Sequence, residues 1–414
     1  MKITTEKPVA IVLGGTNPHR ELILKLKEQG YYTVLIDYLS NPPAKEVADE
    51  HIVESTLDKE TVLRVAKSLN ASLVTSICVD QAHVVAAWIS GEMGLPKFFD
   101  FQIVSKVADK MLQKEGMVHG GIPTAKFKIA RSAEVPNIDE LTFPLVTKPL
   151  DTTGSKGVVK VMHEADLKNA LTYSNSFTSK NYLIIEEFIE GEEFQVDCFS
   201  TNDKVYLLLL SRKNKLHNGD VGKELQSVGS EIVPFSDFNE GLIAEFQKIA
   251  TSIKKLHKLN STPFFFQCIV KGSSVLVLEY ALRIGGGLSY KIIPMVSGVD
   301  SLGVAMNVLL NKPLNISPCR NEFRYRTNNI YVSKCVFGEV KGTDELIRKG
   351  IVEAYFPYKL KGASISGGLS SNNRLGAFIV KATSREELEE KRLLAYQELR
   401  VVDIENNEIP IIWK

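Results

Sequence analysis

Across residues 1–97 short apolar runs alternate with amphipathic stretches, and no other feature limits the fold as tightly. Val9 to Leu13 reads as a buried strand, Asn17 and Pro18 open a helix that Gly30 ends, and Tyr32 to Tyr38 reads as a second strand. Lys59 to Leu69 repeats the helical pattern, Ser72 to Cys78 repeats the strand pattern, and a helix from Asp80 ends near Gly94 and Pro96. Short, continuously apolar strands joined through helices imply a parallel sheet covered on both faces, with right-handed crossovers.

Leu13-Gly14-Gly15-Thr16 follows the first strand and Asp37 closes the second, which invites comparison with a dinucleotide fingerprint. The spacing fails, because Pro18 and His19 stand where GxGxxG needs its last glycine. The expectation is a tight strand-to-helix turn lining a small-molecule cleft at the carboxyl edge of the sheet.

At 414 residues the chain exceeds a usual single domain. Three units are expected: an α/β domain over 1–97, an α+β domain of two lobes over 98–316, and a small α+β cap over 317–414. The cap reads as strand Asn329 to Phe337, helix Thr343 to Lys349, a glycine-bearing segment from Gly362 to Gly368, strand Leu375 to Ala382 and helix Arg385 to Leu399. Lys and Arg number 50 against 49 acidic residues, so no polyelectrolyte surface is offered to nucleic acid or to an anionic membrane. Five scattered cysteines lack metal or redox spacing, and no apolar run approaches the ~20 residues of a membrane span. A cytoplasmic location with free thiols is the expectation.

ATP chemistry needs cations on the phosphates, a small-residue loop over them, an edge that reads adenine and oxygen ligands for magnesium. The middle unit supplies these in order. Asp109-Lys110 lies in a helical stretch, and Pro144-Leu145-Val146-Thr147-Lys148-Pro149 ends a buried strand. Asp151-Thr152-Thr153-Gly154-Ser155-Lys156-Gly157-Val158 is a turn whose N–H groups can wrap phosphate oxygens. LIIEEFIEGEEFQVD then runs from Leu183 to Asp197, and FFFQCIV and VLVLEYALRIGGG finish the set at Gly287. Gln267 and Glu279 sit on two strand patterns separated by Lys271-Gly272-Ser273-Ser274, so a hairpin places them side by side.

This order of motifs, from about Phe98 to Pro313, resembles the ATP-grasp superfamily, flanked by a pre-ATP-grasp sheet and a carboxyl-terminal unit as in its ligases. The resemblance implies that Lys110 and Lys148 hold the α- and β-phosphates and that Ser155, Lys156 and Gly157 cover them. It implies a hinge near 186–190, with Glu186 toward the adenine amine, the Glu187 carbonyl and Ile189 N–H on the ring, and Glu193 on the ribose. Gln267 and Glu279 become the magnesium ligands and Arg283 the cation on the γ-phosphate. Gln267 resembles the carbamoyl phosphate synthetase variant of the motif, and Ala281 replaces an Asn that completes the metal set in relatives. Arg212, Lys213 and Lys215 follow the strand Val205 to Leu210 and compete for the place facing the transferred phosphate; His217 is more simply structural.

The reaction so implied joins a small-molecule carboxylate to an amine through an acyl phosphate, with ATP and Mg2+. The Gly362 to Ala382 stretch resembles single-chain amino-acid ligases, which favours an amino acid as one substrate. Relatives with this arrangement often dimerise. Two alternatives stay open: a carbamoyl-phosphate-synthetase-like carboxylate-phosphorylating enzyme, and an inactive ATP-binding scaffold, to which Ala281 points.

Overall fold

The computed structural model describes residues 6–132, 134–152, 157–216, 226–369 and 373–412. Strand β1 (Val9–Leu13) is buried along its whole length and pairs in parallel with β2 (Tyr32–Asp37) on one side. β3 (Glu50–Val53) flanks β2, and β4 (Leu73–Thr75) flanks β1, giving the order β3-β2-β1-β4. The connecting helices are α1 (Asn17–Glu28), α2 (Lys59–Ser68) and α3 (Asp80–Met93). Asp58 caps α2 by accepting from Thr61 N–H, and Gly94, at φ 65, ends α3. β3 escapes sequence reading because an edge strand with half-exposed residues carries no continuous apolar run.

The fourth strand ends at Thr75, short of the expected Cys78. Ser76 turns its hydroxyl onto Leu13 O at 2.7 Å, and Cys78 takes φ 60, outside the extended region. The glycine pair is explained by packing. Gly14 has φ 107, and a Cβ there would stand 2.7 Å from the His19 ring; Gly15 N–H donates to Asp37 Oδ2 at 2.7 Å.

His19 is fully buried, with Thr16 Oγ1 at 2.7 Å and Ser76 Oγ at 3.3 Å, and burial pushes its pKa down to about 4. The folded imidazole is neutral where the unfolded one would take a proton. Its contribution, on the order of 3 kcal/mol, is therefore complete above pH 6.5 and lost as the pH falls toward 4. Melting temperature measured against pH should drop through this window, in which His83 and His257 are likewise pushed down to about 4, and His19→Gln should make the drop smaller without removing it. A variant curve parallel to that of the parent would refute the assignment.

After α4 (Phe101–Ala108) and α5 (Lys110–His119) come β5 (Phe127–Arg131), β6 (Leu145–Pro149), β7 (Val159–Val161), α6 (Glu164–Asn175) and β8 (Tyr182–Glu187). They form an antiparallel sheet of order β5-β8-β6-β7 with α6 against it.

The remaining strands are β9 (Glu192–Ser200), β10 (Val205–Leu216), β11 (Gln226–Ile232), β12 (Thr262–Lys271), β13 (Ser274–Ala281), β14 (Arg324–Ile330), β15 (Cys335–Lys341), β16 (Ala354–Pro357), β17 (Ser364–Ile365), β18 (Gly376–Ala382), β19 (Arg400–Asp403) and β20 (Glu408–Ile409). Helices α7 (Glu240–His257), α8 (Ser289–Ser297), α9 (Ser301–Leu309), α10 (Thr343–Arg348) and α11 (Arg385–Glu398) complete the chain. Eight strands form one antiparallel sheet, β13-β12-β9-β10-β11-β14-β18-β16, which continues across residues 316 and 317 through the β11–β14 pairing. The expected strand Asn329 to Phe337 is two strands. β14 stops at Ile330, buried Tyr331 receives a hydrogen bond from Arg374 Nε, and β15 starts at Cys335 in a separate sheet of order β17-β15-β19-β20. One apolar run serves two sheets there, so its periodicity does not mark the break.

Residues of β1, β2 and α1 share a hydrophobic core with α8, α9, β10 and β18, so the first sheet and the large sheet are packed together through side chains. Among the described residues no single helix is long and apolar enough to cross a membrane; α8 and α9 reach that composition only as a pair bent by 108°, and they lie in this core. All five cysteines are free.

Candidate active site

Asp109 ends α4 and caps α5 with bonds to Met111 and Leu112 N–H, which puts Lys110 in the first turn of α5. Lys110 Nζ donates to Thr152 O at 2.6 Å, tying the helix to the chain entering the glycine-bearing turn. Burial pulls its pKa down, Glu279 opposes that shift, and Lys148 adds to it. The lysine thus feels a cation from the small sheet and a carboxylate from the large one. Ser155 and Lys156 lie outside the described residues; Gly157, at φ 72, ends the turn, where a Cβ would meet Pro149 and Phe177 at 2.9–3.0 Å.

Lys148 on β6 and Glu186 on β8 meet at 2.5 Å, and Lys114, one turn after Lys110, reaches the other carboxylate oxygen at 2.8 Å. The Glu186 and Lys114 side chains are only 4% and 3% exposed, against 19% for Lys148, so the free approach to this cluster is on the Lys148 side. Burial favours a protonated Glu186, but Lys148 and Lys114 outweigh it and hold the carboxyl below its usual range. Each oxygen is paired with an ammonium group, and Glu186 Oε1, which carries no hydrogen bond among the described residues, keeps acceptor capacity for a further donor such as an adenine amine. Lys114 was not anticipated, although its spacing of four from Lys110 on a helix was a usable signal.

β8 ends at Glu187, whose carboxylate accepts from Thr142 N–H at 3.0 Å and whose N–H donates to Lys126 O. Phe188 N–H goes to Pro144 O at 2.8 Å, while Ile189 N–H has no partner among the described residues. That leaves a backbone donor at the crossing from the small sheet to the large one. Glu193 follows on β9, opposite Ile269.

The β12–β13 hairpin forms as expected, and Gln267 and Glu279 are direct cross-strand partners beside a bulge. Both are half-buried, whereas Ala281 is buried and brings no oxygen. Among the described residues no three His, Cys, Asp or Glu side chains are gathered to hold a metal. A carboxylate and an amide oxygen suit a magnesium ion whose other ligands are phosphate oxygens and water.

β10 extends to Leu216, so Arg212 and Lys213 lie on the strand and do not follow it. Arg212 is taken by Glu192 at 2.5 Å and by Glu231, which removes it from the contest for a phosphate. Lys213 Nζ donates to Gln195 Oε1 at 3.0 Å. The Lys215 side chain and His217 lie outside what is described.

Arg283 is held by a residue that sequence reading did not reach. Asp80, at the start of α3, takes its Nε and Nη2 at 2.5 Å each. Burial opposes an ionised Asp80, and Arg283 prevails, holding the pKa down. Cys78 Sγ donates to Gly285 O at 3.3 Å, so the turn after β4 grips the Arg283–Gly287 segment twice. His83, one turn along α3, is buried and close enough to Arg283 and Asp80 to feel both; burial first, then Arg283, pushes it down to about 4, so it is neutral at pH 7. On the other side stands Asp197 of β9, 2% exposed, which accepts from Gln195 Nε2 at 2.8 Å and lies against the Gly285 backbone. Burial, only partly offset by Gln195, Lys213, Gly285 and Arg283, pushes it up to about 6. Lys110 of α5, with Lys148 of the small sheet close by, and Arg283, whose side chain the first sheet holds, thus lie around Glu279 of the large sheet, a grouping of cations about one carboxylate.

Residues 141–291 match the family described as ATP-grasp domain. Phosphoribosylamine–glycine ligase of Methanosarcina acetivorans is 25% identical over 308 residues, 69% of this chain and 68% of that protein. Formate-dependent phosphoribosylglycinamide formyltransferase of Prochlorococcus marinus is 27% identical over 285 residues, 66% of this chain and 69% of that protein. Among solved structures, the L-amino acid ligase of Bacillus licheniformis superposes with TM-score 0.77 and 20% identity, covering 96% of this chain and 100% of that one.

Proposed function

We propose that the chain is an ATP-grasp enzyme of the carbon–nitrogen ligase class, which phosphorylates a small carboxylate with ATP and passes the acyl phosphate to an amine, releasing ADP and phosphate. The observation that carries the reading is the placement of Lys110, tied to the chain entering the glycine-bearing turn through Thr152 O at 2.6 Å, close enough to Lys148 of the small sheet and Glu279 of the large one to feel both. Lys110 and Lys148 neutralise the α- and β-phosphates, and Gly157 with Ser155 and Lys156 covers them. Glu187 O and Ile189 N–H read the adenine edge, while Glu193 takes the ribose. Glu186 orients Lys148 together with Lys114 in this conformation. Glu279 and Gln267 hold Mg2+, which supplies charge neutralisation on the phosphates. Arg283 lies where the γ-phosphate meets the carboxylate, and the glycines after it let backbone donors approach the charge that develops. Catalysis is then alignment and electrostatics, with no covalent nucleophile on the protein.

One substrate is an amino acid in this reading, a view supported by the likeness in fold to the L-amino acid ligase. Phosphate release measured with MgATP and pooled carboxylates and amines, followed by nucleotide chromatography, tests it. ADP should appear in step with amide, and hydroxylamine in place of the amine should give a hydroxamate. AMP in place of ADP would overturn the acyl-phosphate route. Ala281 favours a second reading, an ATP-binding protein without turnover; ATP binding with no phosphate release from any pool would select it.

A further inference from the structure

The segment Arg283–Gly287 is held by two carboxylates to which the sequence assigned no role, Asp80 ahead of the ordered motifs and Asp197 at the end of the Leu183–Asp197 stretch. Asp80 comes from the first sheet and forks onto the Arg283 guanidinium with two bonds of 2.5 Å. Asp197 comes from the middle of the large sheet and lies directly against the Gly285 backbone. It is itself fixed by Gln195 Nε2 at 2.8 Å, and Gln195 in turn reaches Ser289 Oγ at 3.3 Å and receives Lys213 Nζ at 3.0 Å. The fit around Gly285 is closed: a Cβ there would lie 2.4 Å from Gln195 Nε2, 2.5 Å from Asp197 Oδ1 and 2.7 Å from Ser289 Oγ. Gly286 and Gly287, in contrast, have nothing within 4 Å of the place a Cβ would take. One end of the loop is therefore clasped and the other lies open.

We propose that Asp80 and Asp197 are positioning residues for the phosphorylation step, fixing Arg283 and the Gly285 end of the loop so that the open Gly286–Gly287 end meets the reacting carboxylate. The inference rests on the reading above for what the loop does, but not for whether the loop is clasped. A buried guanidinium and a backbone N–H need acceptors, and a fork fixes direction as well as distance. Arg283 also carries a bond from Nη1 to its neighbour Ile284 O at 3.0 Å and lies 5.2 Å from the Phe265 ring, so once Asp80 is in place the side chain is confined on three sides.

The test takes Asp80→Asn and Asp197→Asn in the full chain and makes two measurements. Hydrogen exchange followed by mass spectrometry on peptides covering 283–288 needs no substrate, and the loop should exchange about tenfold faster in each variant while the rest of the chain is unchanged. Turnover with the carboxylate pool should show kcat lowered by about tenfold with KM for MgATP within about twofold, the split expected when only transition-state alignment is lost. Unchanged exchange overturns the proposal whatever the kinetics, and so does faster exchange with kcat intact. If the parent protein turns over no pool, the ligase reading fails while exchange still decides the clasp. Should Asp80→Asn unfold, Asp80→Glu keeps the charge but shifts the fork, and the same two measurements are read on it.

Discussion

Glu279→Ala is expected to lower ATP turnover by about a thousandfold or more, the largest single-residue effect in this protein. Glu279 is the one carboxylate of the hairpin pair, since its partner across the strands is Gln267 and the position two residues on is Ala281. Its loss leaves a neutral amide as the only side-chain oxygen at the pair, and a hard divalent cation gives up water reluctantly for so little. Lys110 would lose the carboxylate that favours its charged form. Phosphate release and the magnesium dependence of ATP binding are the measurements. The variant should bind nucleotide with little response to added magnesium, while its melting temperature stays near that of the parent because the residue is only half-buried. Half of the parent's rate in the variant would remove Glu279 from the metal site.

Lys148→Ala should weaken ATP binding by about a hundredfold and abolish measurable turnover at ordinary ATP levels. The ammonium meets Glu186 at 2.5 Å, but as the most exposed member of the cluster it is the one a phosphate can reach. Lys114 still neutralises Glu186 at 2.8 Å in the variant, so the buried carboxylate is not stranded and the fold should persist. ATP titration by calorimetry and a melting curve separate the two effects. Near-normal affinity would reduce Lys148 to a counter-ion for Glu186.

What the sequence disclosed follows the range of the interactions involved. The first sheet was legible because buried parallel strands are continuous apolar runs. The Gln267–Glu279 pair was legible because a four-residue turn, Lys271 to Ser274, fixes the strands that carry it. Strand β10 was cut short in that reading because Arg212 and Lys213 interrupt the apolar pattern; each is accommodated by a partner from another strand, Glu192 and Glu231 for the first and Gln195 for the second. Asp80 and Arg283 stand 203 positions apart, and no local periodicity links them. Asp197 had a weak signal, a carboxylate two residues from Gln195 on a strand whose other face carries Phe194, Val196 and Cys198, but its meaning depends on Gly285, which only the fold brings near.

The pairing of β11 with β14 also bears on what can be cut from this chain or transplanted into another. The hairpin carrying Gln267 and Glu279 and the strands β14, β18 and β16 are members of one hydrogen-bonded ladder. A chain severed after residue 316 would leave β11 with a naked flank of amide and carbonyl groups, the kind of edge that recruits foreign strands. The carboxyl-terminal residues therefore share a sheet with the Gln267–Glu279 hairpin and are not a detachable lid, and a chimera exchanging them must also match the register Gly229–Asn328 through Ile232–Tyr325.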